Sequence, residues 1–141
     1  MRQWTSWLLV ILWMALIFYF SHQPGTESSD LSGSVMQIVL NLLPFVTEDT
    51  AFIHLLVRKG AHVFVYFVLV ILLMNAIRSP NSRTVNRVVI ALGVSVFYAA
   101  SDEYHQTFID GRAGQMSDVL IDSAGAVLGL SVYLLWSKFR H

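Results

Sequence analysis

Residues 88–136 read VVIALGVSVFYAASDEYHQTFIDGRAGQMSDVLIDSAGAVLGLSVYLLW, and this stretch decides the fold. Two apolar runs, 88–101 and 119–136, flank a polar segment that carries Asp102, Glu103, His105 and Arg112. Asp118 and Asp122 extend that polarity into the second run. An ionisable group costs a few kcal/mol at the centre of a bilayer and usually marks function. The first run has only 14 residues, roughly 21 Å as a helix. To cross a membrane it must borrow Asn86 and Arg87 at one end or Asp102 and Glu103 at the other, which puts the acids at the boundary or just inside it.

The rest of the chain agrees with a membrane origin. Of 141 residues, 55% are hydrophobic and 13% charged, and the mean hydropathy is +0.60. Soluble domains carry about 25% charged residues, so too few charges remain here to cover a water-facing surface. Blocks 4–20 and 61–77 complete a set of four apolar segments. A run of 17 or 18 residues spans roughly 26 Å, close to the hydrocarbon thickness. The length fits one domain over 1–141, with spans at about 4–21, 58–77, 86–103 and 118–136 and a loop over 22–57. The fold class is therefore all-α: a four-span transmembrane helical bundle, with an additional amphipathic helix in the long loop. Block 4–20 is read as an uncleaved span, because it is long for a signal core and residues 20–24 offer no small-x-small cleavage site.

Charge and composition exclude several functions. Net charge is zero and no basic patch is interleaved with aromatics, which argues against nucleic-acid binding. The chain has no cysteine, so disulfides, zinc–thiolate centres and iron–sulfur clusters are ruled out.

Arg2, Arg78, Arg83, Arg87, Lys138 and Arg140 share one side of a four-span chain, and Arg58, Lys59 and Arg112 lie on the other. The positive-inside rule then places both termini in the cytoplasm. All nine acids fall in the outer half. In the outer loop, Leu31, Val35, Ile38, Val39, Leu42 and Leu43 recur at helical spacing before Pro44. Such a helix fits either the membrane interface or a lid packed on the bundle. A second short helix, capped by Thr47 or Asp49, leads through Phe52, Leu55 and Leu56 into the second span.

Helical spacing indicates which groups can meet. Arg58, His62 and Tyr66 share a face of the second span, with Lys59 beside it. Asp102 aligns with His105 and Gln106, while Glu103 points elsewhere. Asp118 and Asp122 are one turn apart, and their stripe continues through Gly125 and Gly129, a small-xxx-small pattern that permits close helix approach, within the chain or in a homo-oligomer. The expected catalytic candidates are Asp102, Glu103, His105, Asp118 and Asp122. Arg58, Lys59, His62, Tyr66, Gln106 and Arg112 are the expected binding residues. His62, Asp102, His105, Asp118 and Asp122 are a set able to hold a divalent metal that activates water. His105 with Asp102 can act as an oriented base, and the three basic residues can hold a lipid phosphate. The structural reading of the same groups is a salt-bridge network that fixes helix register, with Arg58 pairing an acid and Lys59 snorkelling to the interface. HExxH and GxSxG motifs, a phosphate loop and the paired His-rich motifs of a lipid phosphatase are absent.

Arg58-Lys59-Gly60-Ala61-His62 with Tyr66, Asp102-Glu103-Tyr104-His105-Gln106 with Phe108, Gly111-Arg112, and Asp118-Val119 with Asp122 together resemble the VanZ-like family of small bacterial membrane proteins. The likeness runs from about residue 5 to residue 136. It implies residence in the cytoplasmic membrane and a link to low-level resistance to teicoplanin, a lipoglycopeptide that acts at the membrane's outer face. The expected function is binding or modification of an outer-leaflet lipid or lipid-linked wall precursor, by a membrane-embedded hydrolase or transferase if chemistry occurs. A non-enzymatic interaction module is the alternative. Small-solute or lipid transport ranks third, because no proline interrupts a span.

Overall fold

The computed structural model describes residues 3–42, 50–79 and 82–139. Among these residues every regular element is an α-helix and there is no strand: α1 (Gln3–Ser21), α2 (Gly25–Leu42), α3 (Thr50–Ala76), α4 (Thr84–Gln106) and α5 (Met116–Phe139). Four of them, all but α2, are long and apolar enough to cross a membrane. They run alternately up and down, so α1 and α4 end, and α3 and α5 begin, at one end of the bundle. That end carries the described acids and is termed the polar end. The opposite end carries Arg78, Arg83, Arg87 and Lys138 and is termed the basic end.

Small residues hold the bundle together. The most extensive interface joins α3 and α5, and Gly125 and Gly129 lie at its centre. A Cβ on Gly125 would fall 2.4 Å from the Val63 carbonyl oxygen, and one on Gly129 would fall 2.4 Å from that of Phe67. Any side chain there would push the helices apart. Lipid is as apolar as leucine, so close packing rather than water exclusion drives such association. The glycine stripe thus faces α3 of the same chain rather than a second copy. On α4 the contact surface is Ala91, Ser95 and Ala99, all buried. Leu69, Val70, Leu73 and Met74 of α3 fill the centre.

α1 buries a narrow stripe of Ser6, Val10, Ile17 and Ser21. Trp4, Leu8, Ile11 and Leu12 of the same helix are exposed, as expected of a helix whose remaining surface meets hydrocarbon. Trp13 Nε1 donates to the Val65 carbonyl at 2.9 Å, and Tyr98 donates to the Met14 carbonyl at 2.7 Å. These bonds tie α1 to α3 and α4 where a buried polar group would otherwise be unpaired.

Three boundaries differ from the sequence reading. α3 starts at Thr50, because nothing between Phe52 and Arg58 breaks a helix and the expected short helix runs straight into the span. Thr47 and Asp49 lie outside the described residues. α4 continues to Gln106, because its polar last turn finds partners inside the bundle. α2 begins at Gly25, ahead of the expected apolar repeat, and includes the serine cluster. Ser32 and Ser34 there bond back to the carbonyls of Ser28 and Asp30. No residue of α2 is buried, and Leu31, Val35, Ile38 and Leu42 are exposed.

Candidate functional site

The polar end gathers side chains from all five helices and the 107–115 turn. α3 and α5 contribute a ladder of opposite charges. Lys59 pairs with Asp118, and one turn deeper His62 Nδ1 meets Asp122 Oδ1 at 3.0 Å. Asp118 sits in the first turn of α5, where the helix dipole favours a negative charge. The pairing corrects the expectation for Lys59: it is held by an acid rather than reaching freely to the interface. Arg58, the expected partner, forms no ion pair among the described residues. An Nδ1–H donated to Asp122 leaves His62 Nε2 as the acceptor nitrogen.

α4 delivers its acids in two directions. Asp102 Oδ2 accepts from Gln106 Nε2 at 3.1 Å, and Gln106 also donates to Ser21 Oγ at 2.9 Å. Glu103 Oε2 accepts the Gln115 backbone N–H at 2.9 Å. Glu103 does not point away from the cluster, as spacing alone suggests. It follows Ala91, Ser95 and Ala99 at four-residue intervals and is 3% exposed. Ligand atoms of His62, Glu103 and Asp118 lie within 4.8 Å of one another. This trio differs from the expected metal set, since Glu103 joins it while Asp102 and His105 lie outside it. Asp122 touches it through His62. Its donors, one imidazole and two carboxylates, suit a divalent cation such as zinc.

His105 takes part elsewhere. Its Nε2 lies 3.0 Å from Nδ1 of His22, and the Phe18 ring packs on both imidazoles. The geometry does not bring it to Asp102 as an oriented base; the Asp102 carboxylate is bonded by Gln106 instead. His22, Ser21 and Gln115 did not emerge from the sequence. The signal available was weak, a histidine one position beyond a span.

Among the described residues, four buried oxygens lack a hydrogen-bond partner: the Tyr66 hydroxyl, Asp102 Oδ1, Glu103 Oε1 and Asp122 Oδ2. Tyr66 is 1% exposed and Asp122 fully buried. Orphaned polar atoms at such depth are uncommon and call for a reason.

A cavity of about 320 Å³ opens beside this cluster. Its floor is His62, Tyr66, Asp102 and Gln106, and Arg58 and Arg112 stand over it. Its walls are apolar residues of α1 and α3, among them Leu16, Phe20 and Phe64. Those three side chains are themselves exposed. Ser28, Leu31 and Ser32 of α2 complete its edge.

Arg112 is locked in place. Its Nε donates to the Gln23 carbonyl at 2.9 Å and its Nη2 to that of Phe20 at 2.8 Å. Burial, and then the neighbouring Arg58 charge, push its pKa below the ordinary guanidinium value, while Asp102 and Glu103 act in the opposite sense. The residue stays cationic. The joint beneath it is close: Gly25 N–H donates to the Asp110 carbonyl at 3.0 Å. A Cβ on Gly25 would fall 2.1 Å from the Gly111 oxygen, and Gly111 has φ 73°.

The chain matches no curated protein and no solved structure. The family model described as VanZ/LLP1 matches residues 6–137, which take in all four spans and the whole polar end. By that match the chain is a member of the VanZ/LLP1 family.

Proposed function

We propose that this protein binds, and acts on, an amphiphile with an anionic headgroup that enters the polar-end cavity from the side. The observation that carries the reading is the cavity itself, where two guanidinium groups with no carboxylate partner among the described residues stand beside an apolar wall. Arg58 and Arg112 hold the headgroup by charge-assisted hydrogen bonds. The apolar residues of α1 and α3 take the first part of the tail.

The basic-residue distribution supports an orientation with this end at the outer face of a bacterial cytoplasmic membrane and both termini inside. Lipid-linked wall precursors are met there, which supplies a route to altered sensitivity to teicoplanin. Within the site, Tyr66 and Gln106 position the ligand. His62, oriented by Asp122, presents Nε2 as a general base in a metal-free site. In a metal-loaded site the same Nε2 would instead join Glu103 and Asp118 as a ligand, and the divalent ion would polarise a phosphoryl oxygen or activate water there. Asp102 supplies a further carboxylate on the cavity floor, and the His105–His22 pair steadies the site's edge.

The test is retention of a long-chain polyprenyl phosphate by the purified protein, read by native mass spectrometry. The Arg58→Gln/Arg112→Gln variant should lose about tenfold or more in retention, as expected for lost charge-assisted bonds. Equal retention by wild type and variant would sink the proposal.

A second reading is favoured by the Lys59–Asp118 and His62–Asp122 pairs, which cross one helix interface in register. In it the cluster only locks α3 to α5. Asp122→Asn separates the two. A structural role predicts a sharp fall in folded yield, whereas a functional one leaves the yield intact and changes ligand turnover.

A further inference from the structure

The basic end holds a second cavity of about 460 Å³ between the last turns of α3 and α5 and the first turn of α4. Arg78 and Arg87 line it together with Thr84, Asn75, Tyr133 and Trp136, and no acidic side chain does. Neither arginine has an ion-pair partner among the described residues. Arg87 is half-buried: its Nη2 donates to Thr84 Oγ1 at 2.9 Å, and its Nε is enclosed without a partner. An enclosed guanidinium N–H with no acceptor is a donor waiting for one.

Two further features point the same way. α4 starts at this cavity, and its N-cap, Arg83, makes no side-chain cap hydrogen bond, so its first-turn N–H groups add to the positive field. Met74 and Leu134 give the cavity an apolar floor, and Val85, Val89, Trp136 and Phe139, of the helix ends that frame it, are exposed. The cavity thus sets two cationic side chains against an apolar floor. Basic pockets between spans recognise anionic headgroups in this way.

We propose that the basic end is a binding site for the phosphate of an anionic membrane lipid in the leaflet on that side, held bidentately by Arg87 with Arg78 and Thr84. This site is separate from the polar-end cavity and does not depend on any activity there.

The experiment uses the full chain carrying Arg58→Gln, so that the polar-end cavity contributes little. The protein is extracted from nanodiscs of phosphatidylcholine containing phosphatidylglycerol, and retained lipid is read by native mass spectrometry. Phosphatidylglycerol should be retained over phosphatidylcholine. Arg87→Gln and the charge-conserving Arg87→Lys should each lower that preference about tenfold, because lysine lacks the guanidinium fork. Arg83→Gln, which changes an exposed residue outside the cavity, should leave it unchanged. An unaltered preference in Arg87→Lys, or an equal loss in Arg83→Gln, would reduce the effect to surface charge and overturn the proposal. Stabilisation by inorganic phosphate with no lipid preference would overturn the lipid assignment. Should the Arg87 variants fail to fold, the exposed Arg78→Gln makes the same measurement, with loss expected and no loss fatal to the idea.

Discussion

The two ends of this bundle carry similar numbers of basic groups and use them in opposite ways. At the polar end Lys59 and His62 are matched, rung by rung, with Asp118 and Asp122, and Arg112 is consumed by two backbone carbonyls. At the basic end Arg78, Arg83, Arg87 and Lys138 meet no acid among the described residues. One end therefore spends most of its charge on holding helices together and keeps Arg58, unpaired among the described residues, over the cavity. The other leaves it available to whatever lies at the membrane surface.

Substitutions ordered by expected effect test that contrast. Gly125→Leu should be the most damaging, about 4 kcal/mol or more, since the side chain must displace the α3 backbone at Val63. The folded fraction in gel filtration measures it, and a monodisperse variant would mean that the interface is looser than described. Lys59→Met strands a buried Asp118. The expected cost is about 3 kcal/mol, at the low end for a broken buried pair because Lys59 keeps 26% exposure. Adding Asp118→Leu should restore much of the thermal stability, and a lack of recovery would remove the pair from the account.

Arg112→Gln should cost about 1–2 kcal/mol through the lost bonds to Phe20 and Gln23, seen as a lower Tm in detergent. At the basic end, Lys138→Gln should stay within about 0.5 kcal/mol of wild type. A fall there comparable to that of Lys59→Met would erase the distinction between the ends.

Sequence and structure diverge in an instructive pattern. The four spans were legible because a bilayer demands a minimum apolar length, and length needs no knowledge of neighbours. Which residues face inward was harder. Adjacent positions on a helix are separated by about 100°, so Arg58 and Lys59, or Asp102 and Glu103, exchange roles with a small rotation of the helix. Lys59 and Glu103 entered the cluster through the orientation of α3 and α4, which close packing sets. One clue was present: Ala91, Ser95 and Ala99 mark the close-packed face of α4, and the same interval leads to Glu103. The Asp118–Asp122–Gly125–Gly129 stripe was read correctly as a single face, because acids and glycines both have reason to avoid lipid. His22 had no such signal, since its partner lies 83 positions away.

The clasp at Arg112 has a consequence for the order of assembly. The guanidinium of Arg112 completes the end of α1 through Gln23, 89 positions earlier in the chain, and Gly25 waits for Asp110 in the same way. During synthesis α1 emerges first, yet its far end stays unfinished until the turn after α4 has been made. α1 and α3 can already pair through Trp13 and Val65, but the cavity they wall off is completed only when the turn after α4 arrives. Completion of the polar end therefore waits on the 107–115 turn rather than on insertion of the first two spans.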